Sequence, residues 1–148
     1  MSAPSKTRAK RTAAKPRDTF VNVDLTRARF ENANLSRATF DDVDLGRAVF
    51  TNVTLDDASI DDVSAKGASV RDVTFERAKI DDCDLSRARI TNVSFERATF
   101  SDVSLRGARL ANVDLKGARI EDADITGLTI DGIRIDELVT RARAARRK

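Results

Sequence analysis

The chain has no histidine, tryptophan or tyrosine, and a single cysteine, Cys83, in 148 residues. Each absence removes a class of chemistry. Without imidazole there is no Ser-His-Asp triad, no histidine-ligated zinc and no side-chain base tuned to neutral pH. One cysteine allows no internal disulfide, which excludes a secreted disulfide scaffold. No apolar run approaches the roughly 18 residues of a membrane helix, and the N-terminus lacks the apolar stretch of a signal peptide. These absences predict a cytoplasmic chain with no membrane span, and the length fits one domain.

Charge is abundant and unevenly placed. Charged residues make up 34% of the chain, with 27 Lys and Arg against 24 Asp and Glu. Residues 1–18 carry a net +5, residues 19–135 a net −5 and residues 136–148 a net +3. The pI of about 9.3 therefore describes the tails, and the middle is mildly acidic.

That middle is a repeat of period five. Every fifth residue from Phe20 to Ile135 is apolar, 24 of 24, and all seven Phe fall on these positions. Two residues before each centre sits a smaller apolar residue. From Val23 to Ile133 these 23 positions hold 12 Ala, eight Val, Cys83, Leu128 and Ile133. A helix at 3.6 residues per turn would smear this pattern around its circumference, and a long strand would turn half of it outward. The pattern works if each unit is one short side of a coil, with both apolar residues inward. Four sides close a square of 20 residues. About six coils then stack at roughly 4.8 Å, as a solenoid filled by its own side chains. Columns at i, i+20 are uniform, as in Phe20, Phe40, Ile60, Ile80, Phe100 and Ile120. Ala65, Gly67 and Val70 form the thinnest patch.

Ala33-Asn34-Leu35, Val43-Asp44-Leu45, Cys83-Asp84-Leu85, Val113-Asp114-Leu115 and Ala123-Asp124-Ile125 follow the pattern A-[DN]-L-x-x. On these units the chain resembles the pentapeptide-repeat family over roughly residues 18–135. The resemblance implies an all-β fold, a right-handed quadrilateral parallel β-helix. The expected organisation is a disordered basic tail (1–17), the β-helix (18–135), and a short C-terminal capping helix with a basic tail (136–148). Leu128 and Ile133 are expected to plug the last coil. Asp136 is expected to be the helix N-cap, with Leu138, Val139 and Ala142 on the open coil. The uncovered Phe20–Val23 end invites a homodimer through a coil end, as family members dimerise at a terminus.

The square geometry sorts the outward residues into edges. One edge collects Asp41, Asp42, Asp61, Asp62, Asp81, Asp82, Asp102, Glu121 and Asp122, with Asp24, Asp44, Asp84 and Asp124 around the corner. The next carries Arg27, Arg47 and Arg87, with Arg29, Arg89 and Arg109 just beyond. A third stacks Asn32, Asn52, Asn92 and Asn112, which predicts an amide ladder. Carboxylates about 5 Å apart repel by roughly 0.8 kcal/mol per pair in water. Turn chemistry accounts for Asp and Asn at tight corners, with the Arg columns offsetting the repulsion. The competing account is a recognition surface.

These readings predict a rod without catalytic residues, metal or cofactor, which presents charged edges to a protein partner. Exposed carboxylates on a convex surface lack the desolvation that acid–base catalysis needs. Cys83, at an inward small position, reads as a buried filler. The family resemblance implies a second reading, a partial mimic of duplex DNA that binds DNA gyrase or a topoisomerase. The 16 basic residues within 19–135 and the absence of looped insertions depart from that pattern. A third reading has the tails, Lys6–Arg17 and Arg141–Lys148, neutralise nucleic acid or an anionic surface.

Overall fold

The computed structural model describes residues 18–147, so the expected tail over 1–17 lies outside the described residues. The strands are β1 (Thr19–Asp24), β2 (Arg29–Asn34), β3 (Thr39–Asp44), β4 (Val49–Thr54), β5 (Ser59–Ser64), β6 (Ser69–Thr74) and β7 (Lys79–Asp81). They continue as β8 (Arg89–Ser94), β9 (Thr99–Ser101), β10 (Arg109–Asp114), β11 (Arg119–Glu121), β12 (Thr129–Ile130) and β13 (Ile133–Arg134), followed by the helix α1 (Ile135–Arg146). One sheet runs β1-β3-β5-β7-β9-β11 and the other β2-β4-β6-β8-β10-β12-β13. All pairs are parallel except β12 with β13. The register is a shift of twenty residues, as in Phe20↔Phe40, Phe30↔Phe50 and Ile80↔Phe100. The chain is a right-handed parallel β-helix of about six turns with a short C-terminal helix.

The four corners of a coil are of two kinds. Every fifth residue from Asn22 to Gly127 has a positive φ. At Asn22, Asn32, Asp42, Asn52 and their successors to Asp122 this residue lies inside or beside a strand and bends it around the corner. These positions hold only Asn or Asp, whose short polar side chains tolerate the left-handed region. The other corners are tight turns. Ala28 N–H donates to the Leu25 carbonyl at 2.9 Å with Arg27 at φ 63, a type II turn. These corners hold Arg, Gly or Asp57. Successive turns also bond to each other, as Arg27 N–H does to the Gly46 carbonyl at 2.8 Å. The small inward residue is Ala after every turn corner from Ala28 to Ala118, and mostly Val after strand corners. The structural repeat is therefore ten residues, two of which make a coil.

The interior is dry, with no buried polar or charged residue among those described. Phenyl rings stack at the coil spacing. Phe20 lies 4.7 Å from Phe40, Phe30 4.6 Å from Phe50 and Phe75 5.1 Å from Phe95, all nearly parallel. Such pairs add about 0.5–1.5 kcal/mol beyond area burial. Around the thin patch at Ala65 and Val70 an apolar cavity of about 50 Å³ remains, walled by Phe50, Phe75, Ile80 and neighbours.

The C-terminal end departs from expectation. Leu128 is buried, as expected of a plug, but Ile133 is 55% exposed. The chain does not continue the coil after Ile130. Asp131 (φ 49) and Gly132 (φ 80) form a two-residue reversal, and β13 folds back antiparallel on β12. An Asp-Gly pair is a strong hairpin signal, and the unbroken period of five concealed it. Asp136 is not the N-cap either. The cap position is Arg134, with no side-chain capping bond, and α1 begins at Ile135. The Asp136 carboxylate instead ties the first turn to the last coil. It accepts from Gly127 N–H at 2.9 Å and from the Arg134 guanidinium at 2.9 and 2.7 Å. Because the hairpin turns the chain outward, α1 buries no residue, and Leu138 is 48% exposed instead of covering the coil.

Candidate interaction edges

Around one coil the corners follow in the order acidic, basic, amide, basic. The acidic corner stacks Asp42, Asp62, Asp82, Asp102 and Asp122 above Asn22, at φ between 51 and 58. Beside it on the sheet face, Asp41, Asp61 and Asp81 are in register, with Ser101 and Glu121 continuing the row. Glu121 is drawn to Arg119 at 3.4 Å. Among the described residues, none of the eight aspartates Asp41, Asp42, Asp61, Asp62, Asp81, Asp82, Asp102 and Asp122 pairs with a cation. Burial, and then the carboxylates of Asp81, Asp41, Asp82 and Asp62, push the Asp61 carboxyl above its ordinary range.

The flanking column has a different role. Asp44 accepts from Gly46 N–H at 2.9 Å, Asp84 from Ser86 N–H at 2.9 Å and Asp124 from Thr126 N–H at 3.0 Å. Asp24 does the same for Thr26 at 2.9 Å. These are Asx turns that prepare the next corner. Hydrogen bonds from Thr126 hold Asp124 below the usual carboxylate range. Burial opposes the same effect at Asp84, but Ser86 and the Lys66 ammonium prevail and lower it. The ridge read as one edge thus divides into an unneutralised corner and a turn-forming column. A shallow groove of about 700 Å³ runs between them, with Val43, Val63 and Cys83 along it. Cys83 is buried, its thiol donates to the Asp81 carbonyl at 3.1 Å, and burial pushes its pKa up to about 12.

The basic corner stacks Arg27, Arg47 and Arg87 with Gly67, Gly107 and Gly127, and Lys66 and Arg106 stand one residue before it. They line a second open groove of about 1080 Å³ on the same face. Arg89 and Arg109 are in register just beyond, while Arg29 is held by Glu31 at 2.7 Å. The amide corner forms part of the expected ladder. Asn52 donates to Asn32 at 2.7 Å, Asn92 to Asp72 at 3.1 Å, and Asn112 to Asn92. The column is closed by a residue the sequence reading missed, Asp131 of the hairpin, which accepts from the Asn112 backbone N–H at 2.8 Å. Also missed was the fourth corner, Arg37, Asp57, Arg77, Arg97 and Gly117. There the Arg77 guanidinium binds Asp57 through two hydrogen bonds of 3.0 Å, which lower the Asp57 carboxyl. Reading two positions beyond the Leu35 column would have found it.

The sequence pattern described as pentapeptide repeats (8 copies) matches residues 19–57, 58–97, 68–107 and 94–129. This is well over half of the chain, so the protein belongs to the pentapeptide-repeat family. No curated protein matches it. Among solved structures, the plasmid-mediated fluoroquinolone resistance protein QnrB1 is 21% identical, over 92% of this chain and 95% of that one, with a TM-score of 0.41. HetL, a pentapeptide repeat protein involved in heterocyst differentiation regulation from Nostoc sp. strain PCC 7120, is 16% identical over 87% and 92%, with a TM-score of 0.31. An Arabidopsis thaliana thylakoid-lumen pentapeptide repeat protein is 24% identical over 88% and 77%, with a TM-score of 0.27. The assignment rests on the repeat itself. Among the described residues no helix is long and apolar enough to cross a membrane, and no cluster of three or more potential metal ligands occurs.

Proposed function

We propose that the protein is a non-enzymatic cytoplasmic rod that binds a basic protein partner along its acidic corner. The supporting observation is a comparison within the molecule. The acidic and amide corners impose the same backbone, with φ between 50 and 58. Asn and Asp satisfy that conformation equally well. One column nevertheless takes Asp almost throughout and the other Asn. Asp41, Asp61 and Asp81 lie off the corner altogether, where no turn calls for a carboxylate. Backbone geometry asks for a short polar side chain but not for eight adjacent charges, and Asp61 carries the electrostatic cost. The coils up to Ile130 present this edge, and the hairpin and α1 follow at one end.

Reversing Asp41, Asp42, Asp61, Asp62, Asp81 and Asp82 to Lys should abolish capture of the partner from a native lysate. Equal capture by the folded variant would remove the reading. The gyrase or topoisomerase reading draws on the linear row of carboxylates along a rod, at one charge per coil in each column. DNA carries one charge per about 1.7 Å, so mimicry would be partial. A supercoiling assay without inhibition at micromolar protein would eliminate it. A homodimer through a coil end is favoured by the inward apolar groups left part-covered there, Phe20 and Val23 at one end and Ile120, 40% exposed, at the other. Sedimentation measures it.

A further inference from the structure

The basic corner points to a second kind of partner. We propose that the row Arg27, Arg47, Lys66, Arg87 and Arg106 binds the phosphate backbone of duplex nucleic acid. The fold supplies one cation per coil over five successive coils, in a row that shifts between two adjacent columns and rises about 4.8 Å per step. A duplex strand offers one phosphate per about 3.4 Å of axis, so two cations meet about three phosphates.

The row is largely unneutralised. Among the described residues Arg27, Arg47 and Arg87 pair with no acid, while Lys66 and Arg106 pair with Asp84 and Asp124 at 3.6 and 3.9 Å on the exposed surface. The opposite basic corner is interrupted, because Asp57 stands in its column and clasps Arg77 at 3.0 Å, which leaves Arg37 and Arg97 three coils apart. Nor does the fold ask for these arginines. Arg27, Arg47 and Arg87 sit at φ 63, 56 and 59, and glycine serves the same corner at Gly67, Gly107 and Gly127. The fold therefore tolerates these arginines without requiring them.

The surroundings favour a narrow polyanion over a flat one. Asp44 and Asp84 stand on the same face, and an anionic membrane pressed against the row would meet them as well. A single phosphate strand is narrower than the face and meets fewer of these carboxylates. Every phenylalanine of the chain is inward, so no ring is offered for base stacking, and binding should not depend on base sequence.

The test is salt-dependent binding of the full chain to a fluorescein-labelled mixed-sequence DNA duplex. The variant R47G/K66S/R87G/R106S adopts residues already present in the same columns, and melting confirms its fold. Its log K against log salt slope should be shallower by about 3–4, and its affinity at about 0.1 M salt lower by at least roughly 100-fold. The double variant R47G/R87G should lose about 2 in slope, and it decides the matter should the quadruple variant misfold. The tail over 1–17 contributes equally to all proteins compared. An unchanged slope, an equal loss in R37G/R97G at the opposite corner, or binding to phosphatidylserine vesicles but not to duplex would overturn the proposal.

Discussion

Arg97 holds a φ of 60, which costs a long L-residue about 1–2 kcal/mol. At the next coil the same corner is Gly117. Replacing Arg97 by Gly should therefore stabilise the rod by about 0.5–1 kcal/mol, net of the added freedom of the unfolded chain, as read from the urea midpoint. Asp61 poses the opposite problem. Its carboxyl is raised by burial and by Asp81, Asp41, Asp82 and Asp62, so the folded state holds the proton to higher pH than the unfolded chain. Stability then declines as pH rises from the ordinary carboxylate range through the raised value. Asp61→Asn should be more stable than the parent at about pH 7. The difference should vanish by about pH 3 and shrink in salt, which urea titrations at several pH values can follow.

At the scale of elements, packing around Ala65 leaves about 50 Å³ empty. At about 24 cal/mol per Å³, filling it is worth about 1 kcal/mol. Ala65→Val should add up to that amount of stability, seen as a higher urea midpoint at unchanged slope, whereas Leu45→Ala should cost about 3 kcal/mol. The helix α1 depends on one carboxylate. Asp136 is lowered by the Arg134 guanidinium and the Gly127 N–H, so its contribution is complete above the ordinary carboxylate range and is lost as pH falls through its depressed value. Asp136→Ala should reduce helical circular dichroism at neutral pH, while the β signal persists. Strong acid should produce the same change in the parent.

At the scale of the molecule each coil contacts chiefly its neighbours, so opening should proceed from the ends. Hydrogen exchange should be slowest in β5, β6 and β8 and fastest in β1 and β11, the end strands of their sheet, where the inward Ile120 is 40% exposed. Uniform protection from end to end would contradict this. Much of the molecule was legible in the chain because a period of five leaves the apolar residues only one way to be hidden. It fixed the inward set as far as Ile130, the stacked Phe columns, the coil length, the order of charged edges and the burial of Cys83. Two kinds of corner were also written there, in the alternation of Asn or Asp with Arg or Gly and of Val with Ala, at a period of ten that the stronger five-residue signal masks. Only the folded chain settled which carboxylates are engaged. Asp44, Asp84 and Asp124 look like Asp42 and Asp82 in sequence, but their oxygens reach the backbone of the following turn. Asp131 and Asp136 show the same limit. Both sit in register with the repeat, yet the backbone reverses at Asp131-Gly132. That reversal, made by two successive positive φ angles, puts Asp131 on the amide column and Asp136 on Gly127, contacts that no spacing along the chain encodes.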